Sequence, residues 1–172
     1  ALTLASAVGR RLPAHATGLG KVLLADLSAK ELDARLGGES LENYTSHTIT
    51  DRAELDRVLA EARRDGHAGD EEEYTLGVRC VAVPVLDHTG RTVAGMSVSV
   101  PTIRFDEPRR SHVLAVLRVA GHDLSEALGY RRDGDSTPAG GSTPVGRSTL
   151  AGDGHPADAR TIPAHNDPRG DR

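Results

Sequence analysis

The chain has 172 residues, a formal charge of −4 at pH 7, and only three Tyr and one Phe as aromatic residues. An acidic chain without a basic stripe is a poor candidate for holding a phosphate backbone, and it lacks an aromatic platform for stacking single-stranded nucleic acid. The single cysteine excludes an internal disulfide framework and fits a reducing cytosol. No apolar run reaches the ~18 residues of a transmembrane helix. We therefore expect a cytoplasmic protein that makes no membrane contact.

Composition divides the chain near residue 130. Gly and Pro dominate residues 131–172, where the few aliphatic residues are isolated, so this tail cannot bury enough apolar surface to offset its chain entropy. The tail carries six Arg and six Asp, and the net charge therefore belongs to residues 1–130. We predict one domain over residues 1–130 and a disordered tail over residues 131–172. Apolar and polar residues alternate over residues 2–8, which is typical of a β-strand. A strand at the very start of the sequence suggests that the domain is incomplete at its N-terminus.

Cap signatures predict four helices. Each starts at a Ser, Thr or Asp residue, and three are helped by a Glu three residues later or by a Pro in the first turn. The predicted helices run from Thr17 to Leu27, from Ser28 to Leu36, from Asp51 to Gly66 and from Asp106 to Leu128. The last has a broad apolar face, wide enough to cover a sheet or to meet a second chain.

Two glycines lie in the first turn of the first predicted helix. Glycine destabilises a helix, so Gly18 and Gly20 need a reason to be there: either a ligand approaches the backbone closely, or the turn packs tightly against a sheet. The free N–H groups of a helix start suit a small carboxylate, and the two alternatives are equally supported. The string Gly-Leu-Gly-Lys is not a phosphate-binding P-loop, because it lacks the earlier glycine and the Ser or Thr after Lys21.

A hairpin forms the centre of the sequence. Valine-rich residues 78–86 and alternating residues 91–100 flank a turn at Asp87–Gly90. An even-length loop pairs Cys80 with Ser97 and Val78 with Ser99, whereas a bulge at Gly90 moves the partners by one. Because side chains alternate along a strand, one face is predicted to be the floor of a small polar pocket and the other an apolar core face. The pocket face holds Val78, Cys80, Ser97 and Ser99, and the core face holds Val81, Val83, Val85, Met96, Val98 and Val100.

Four successive carboxylates, at residues 70–73, precede this hairpin. In an extended segment only alternate side chains point the same way, and no histidine follows at ligand spacing. We therefore favour a solvated edge strand over a metal site, with Asp70 still able to point inward.

Catalysis has weak support. Cys80 lies in a valine-rich strand, where a buried and inert thiol is expected. Ser97 and Ser99 lack a glycine elbow and suit the role of hydrogen-bond donors that orient a ligand. His15 precedes the glycine turn, and a structural hydrogen bond is its expected role. We predict that the protein is not an enzyme and that it binds no metal and no cofactor.

Three stretches, LPAHATGLGKVLLA, YTSHTITDRAELDRVL and GHAGDEEEYTLGVRCVAVPVLDHTGRTVAGMSVSVP, resemble the effector-binding domain of the IclR family of bacterial transcriptional regulators over residues 8–129. The resemblance implies a GAF-like α/β (α+β) domain, in which helices flank an antiparallel sheet and a small organic acid is bound. The family's effector contacts match Gly18, Leu19, Asp70, Val78, Cys80, Ser97 and Ser99.

The resemblance also implies partners. Members of this family form dimers or tetramers and contact operator DNA through an N-terminal winged helix-turn-helix, which is absent from this sequence. Val100 replaces a glycine common before the family's proline, and the tail matches nothing in the family pattern. Two alternatives stay open: a GAF-like sensor that acts through protein contacts, and an enzyme that acts on a small acid through Cys80 or Asp70.

Overall fold

The computed structural model describes residues 7–37 and 40–132, and it is a mixed α+β fold. The helices are α1 (Gly18–Ala25), α2 (Ala29–Leu36), α3 (Arg52–Asp65) and α4 (Glu107–Ala127), and the strands are β1 (Ala68–Glu71), β2 (Val78–Leu86) and β3 (Thr92–Pro101). The three strands form one antiparallel sheet in the order β1-β2-β3. An antiparallel sheet flanked by helices is thus confirmed. Among the described helices, none is long and apolar enough to cross a membrane.

Two predictions fall largely on residues outside these ranges. Residues 2–6 of the predicted first strand are not described, and Ala7 and Val8 belong to no strand. The predicted disorder of the tail concerns residues of which only Arg131 and Arg132 are described.

The predicted caps start the helices. The Thr17 hydroxyl accepts a hydrogen bond from the Gly20 amide at 3.2 Å, and Asp51 and Asp106 cap α3 and α4 in the same way. Ser28 and Glu31 form the reciprocal capping box of α2. Because these bonds span only three residues, the local sequence determines them. The first helix is shorter than predicted, since it ends at Ala25.

The register of the hairpin differs from the predicted one. Cys80 lies opposite Ser99 and Val78 opposite Pro101, a shift of two residues from the expected partners. The cause is the turn: the Asp87 amide donates to the Arg91 carbonyl at 2.9 Å, which lengthens the loop, and a bulge between Val85 and Leu86 adds a further shift. A shift of two preserves the alternation of faces, so the predicted set of residues still shares one face.

Helices cover both faces of the sheet. On the predicted core face, Val81 and Val83 pack with Phe105 and with Leu117 of α4. On the other face, Ala82 and Ala68 join Leu55 and the remaining core residues of α1 and α3. Burial of these apolar side chains stabilises the arrangement. Because α1 covers the middle of β2, the part of β2 near Val78 borders an open space.

Candidate functional site

A cavity of about 360 Å³ opens between the start of α1, the turn after β1, and the paired ends of β2 and β3. Six of the seven predicted site residues line it, and they come from four separate segments of the chain: Leu19, Asp70, Val78, Cys80, Ser97 and Ser99. Cavities of this size with apolar walls and a few polar groups are typical of small-molecule sites. The contact of these residues with an effector stays a prediction.

Gly18 does not line the cavity. A Cβ on this residue would lie 2.8 Å from the Cys80 sulfur and 3.3 Å from the Gly69 carbonyl carbon, so the absent side chain lets α1 rest directly on the sheet. A Cβ on Gly20, which does line the cavity, would lie 2.2 Å from the Ala14 carbonyl oxygen. Close packing therefore accounts for both glycines.

Asp70 lies at the floor of the cavity. Its side chain is buried, its Oδ1 atom accepts a hydrogen bond of 2.7 Å from the Glu73 amide, and it pairs with Cys80 across β1 and β2. Burial in this low-dielectric setting raises the pKa of Asp70 to about 6. This carboxyl group can therefore gain or lose a proton close to neutral pH.

Asp70 points inward, as the sequence analysis allowed, but the expectation of a solvated acidic run is wrong for Glu73; the two residues are 6% and 5% exposed. The strand ends at Glu71, and Glu72 adopts a φ of +65°, so the chain turns and the alternation of side chains is lost. Glu73 then points into the protein. Among the described residues, no three His, Cys, Asp or Glu side chains converge on a metal site.

Lys21 is the partner of Glu73. The residue is 1% exposed, and its Nζ atom forms an ion pair with the Glu73 carboxylate and donates to the Gly69 carbonyl at 3.1 Å. Lys21 is not among the predicted site residues. Its spacing was a usable signal, because Lys21 lies three residues before the buried Leu24 and therefore on the inner face of α1.

The segment at residues 40–50 forms hydrogen bonds to the turn at Glu72 and Glu73. The Thr48 hydroxyl donates to the Glu73 carbonyl at 2.6 Å, and the Thr45 hydroxyl donates to the Glu72 carbonyl at 2.8 Å. His15 extends this support, because its Nε2 atom lies 2.8 Å from the Glu42 carbonyl oxygen. The structural hydrogen bond expected for His15 is thus present.

Cys80 is a buried thiol, as predicted. Burial, with a smaller contribution from the nearby Asp70 carboxylate, raises the pKa of Cys80 to about 11. The sulfur is therefore protonated at neutral pH and is a poor nucleophile. Its place in the cavity suits contact with the carbon skeleton of a ligand.

Four further polar residues, which were not predicted to belong to a site, line the cavity: Arg10, Thr17, Tyr74 and Thr75. Arg10 brings a positive charge from the turn before α1, and it is exposed to solvent. Tyr74 packs edge-on against Tyr44, with 5.1 Å between the ring centroids. These residues lie in irregular segments, whose side-chain directions do not follow from helix or strand periodicity.

Comparison with known proteins defines the class. Residues 1–126 match the family described as bacterial transcriptional regulator IclR C-terminal. The HTH-type transcriptional regulator XynR of Escherichia coli K12 is 46% identical over 125 residues, which are 73% of this chain and 50% of XynR. This chain spans about half the length of the curated relatives it matches.

Solved structures of similar proteins agree with this family match. The C-terminal domain of the E. coli transcriptional regulator KdgR superposes with a TM-score of 0.67 at 42% identity, covering 71% of this chain and 74% of that one. A double mutant of the inducer-binding domain of the transcription factor PobR from Acinetobacter, in complex with 3-hydroxybenzoic acid, gives a TM-score of 0.64 at 36% identity, covering 68% and 67%. The fold and the matches define a C-terminal regulator domain. The chain belongs to the IclR family.

Proposed function

We propose that this domain binds a small organic acid in the cavity above Asp70 and Cys80, and that binding regulates transcription. The observation that carries the proposal is the convergence of six residues from four chain segments on one cavity of about 360 Å³. The relative PobR, whose inducer-binding domain holds 3-hydroxybenzoic acid, supports the class of ligand.

The lining suggests how such an acid is held. Leu19 and Val78 supply apolar contact for its carbon skeleton, and the hydroxyls of Ser97 and Ser99 are available as donors to its carboxylate. The amide of Leu19, in the first turn of α1, is a further donor. An ionised Asp70 repels a carboxylate, so the ligand's carboxylate lies away from it, and the carbonyl oxygen of the Asp70 carboxyl group accepts from a hydroxyl or amide of the ligand. This arrangement favours hydroxy acids.

Regulation requires the acid to favour one quaternary arrangement over another. A difference of about 1–3 kcal/mol in binding free energy between two states is the usual scale of such coupling. The curated relatives are HTH-type regulators about twice the length of the matched region. We infer that operator DNA is contacted by an N-terminal winged helix-turn-helix, whose spacing in a cytoplasmic dimer or tetramer changes when the acid binds.

The exposed face of α4 supports self-association. Val116 and Val119 are 56% and 63% exposed, and Leu124 and Leu128 are also exposed. A face of this kind loses unfavourable contact with water when a second copy covers it.

The serine pair provides the test of ligand binding. Calorimetry with 3-hydroxybenzoate and with glycolate is expected to detect binding to the wild-type protein and at least about tenfold weaker binding to the Ser97→Ala/Ser99→Ala variant, which is a loss of about 1.4 kcal/mol. Ser111→Ala is the matched control, because Ser111 is exposed on α4 and does not line the cavity. Equal affinity in the double variant removes the serines from the mechanism. Absence of binding by a wider panel of small acids overturns the proposal.

An enzymatic role has little support from this site. The Cys80 thiol is protonated at neutral pH and is therefore a poor nucleophile, and the alternative needs turnover of a small acid that disappears in Cys80→Ser. We therefore assign binding to the cavity.

A further inference from the structure

Lys21 of α1 contacts residues before and after Asp70 in the chain. Its Nζ atom donates to the carbonyl of Gly69, the residue before Asp70, and it pairs with the carboxylate of Glu73, whose amide donates to Asp70. Lys21 itself does not line the cavity. Its contacts therefore reach the cavity only through the residues that hold Asp70.

The charges of the three buried ionisable side chains do not cancel. Lys21 contributes one positive charge against the two carboxylates of Glu73 and Asp70, and all three are less than 10% exposed. In a buried setting an uncompensated negative charge is unfavourable, so the cluster favours a proton on one carboxyl group. Asp70 is the group that faces the cavity, since Glu73 is already paired with Lys21.

We propose that Lys21 is a positioning residue of this cavity: through Gly69 and Glu73 it holds the Asp70 carboxyl group at the floor and sets the charge that a bound acid meets there. The proposal deepens, and rests on, the proposed binding of an organic acid. Because a carboxylate ligand adds a negative charge near Asp70, its binding is accompanied by uptake of a proton on Asp70, and acids bind more tightly as the pH falls.

Charged and titratable groups face Asp70 from each neighbouring element. Lys21 of α1 and Glu73 of the turn after β1 act on Asp70 through their charges, Cys80 of β2 pairs with it, and Arg10 and Tyr74 line the same cavity. Burial is the largest influence on the pKa of Asp70 and raises it; the hydrogen bond from the Glu73 amide lowers it, the charge of the Glu73 carboxylate raises it, and the charge of Lys21 lowers it. The two members of the ion pair therefore act on Asp70 in opposite directions.

Because the charges of Glu73 and Lys21 have opposite effects on the pKa of Asp70, the proposal can be tested without a ligand. The pH midpoint of the Asp70 side-chain carboxyl carbon is followed by ¹³C NMR in the wild type, Glu73→Gln and Lys21→Met/Glu73→Gln. Loss of the Glu73 charge is expected to lower the midpoint by about half a pH unit or more, and further loss of the Lys21 charge is expected to raise it again. The double variant removes both members of the ion pair together, which avoids the strong destabilisation expected of Lys21→Met alone.

Lys30→Met is the matched control, because Lys30 is the other lysine of the described residues and is exposed on α2. Its Asp70 midpoint is expected to equal that of the wild type. Identical midpoints in the wild type, Glu73→Gln and the double variant overturn the proposal. Equal effects in Lys30→Met and in the double variant overturn it as well, because the shift is then not local.

The link to binding has its own measurement. Calorimetry of 3-hydroxybenzoate in buffers of different ionisation enthalpy reports the number of protons taken up, which is expected to be positive just above the Asp70 midpoint of the free protein and to fall toward zero at lower pH and at much higher pH. Binding without proton uptake overturns the link while leaving organic-acid binding intact. Absence of binding by any small acid overturns the proposed function, and the NMR midpoints then still decide the role of Lys21.

Discussion

The amide of Leu86 on β2 donates a hydrogen bond of 2.9 Å to the hydroxyl of Ser125 on α4. The same hydroxyl donates to the Gly121 carbonyl at 2.6 Å, and Ser125 is buried. Leu86 lies at the bulge where the register between β2 and β3 shifts. One side chain therefore satisfies a backbone amide at the irregular end of the central strand and attaches α4 to the sheet.

Ser125→Ala is expected to lower the free energy of unfolding by about 1–3 kcal/mol, because the half-buried Leu86 amide loses its protein acceptor. Urea unfolding monitored by circular dichroism measures the change. Ser111→Ala on the exposed face of the same helix is the control, and it is expected to change stability by less than about 0.5 kcal/mol. Equal stability of the two variants contradicts the assigned role of Ser125.

Gly20→Ala is expected to destabilise the domain more than Gly18→Ala. The new Cβ at residue 20 would lie 2.2 Å from the carbonyl oxygen of Ala14, which is backbone and cannot move without shifting α1. At residue 18 the nearest atom is the Cys80 sulfur, a side-chain atom, at 2.8 Å. Overpacking of this kind costs about 1–3 kcal/mol and sometimes more.

Thermal unfolding of both variants provides the measurement. The reverse order of stabilities, or no change in either variant, means that the first turn of α1 has more room than its packing on Ala14 and on the sheet implies.

The stability of the domain is expected to depend on pH through Asp70. Its pKa is raised from the ordinary 3.8 to about 6 by burial, so between these values the folded protein binds more protons than the unfolded chain. This contribution to stability is therefore fully present below about pH 4 and is lost as the pH rises through about 6. At about 1.4 kcal/mol for each pKa unit, the loss amounts to at most about 3 kcal/mol.

Asp70→Asn removes this titration. Its stability relative to the wild type is expected to rise between pH 4 and pH 7, as measured by urea unfolding at intervals of one pH unit. Glu71→Gln on the exposed side of β1 is the control. A constant difference between Asp70→Asn and the wild type at all pH values would show that Asp70 titrates alike in the folded and unfolded states.

Arg10→Gln is expected to weaken the binding of 3-hydroxybenzoate several-fold without changing the binding of the neutral 3-hydroxybenzamide, because Arg10 is the cationic side chain that lines the cavity. The neighbouring Arg11 does not line it, and Arg11→Gln is therefore a matched control of equal net charge. Calorimetry at low and moderate salt measures the affinities. Equal losses in the two variants indicate a general electrostatic effect and no specific role for Arg10.

Much of the fold could be predicted because its signals are local. The helix starts at Thr17, Ser28, Asp51 and Asp106 depend on bonds between residues three apart, and the two faces of the hairpin depend on simple alternation. The predicted pairing of Cys80 with Ser97 was wrong by two positions, because loop length and a bulge are set by the turn as a whole. The two-residue shift left the shared face of Cys80, Ser97 and Ser99 unchanged.

The sequence by itself determined where the helices begin, which strand residues share a face, and the family to which the chain belongs. Only the tertiary structure decided that Lys21 is buried against Glu73, 52 residues away, and that Glu73 turns inward while Glu71 stays in solvent. The physical reason is the range of the interactions. A cap or an alternation is satisfied within a few residues, whereas a buried charge takes its partner from whichever segment the folded chain brings within reach.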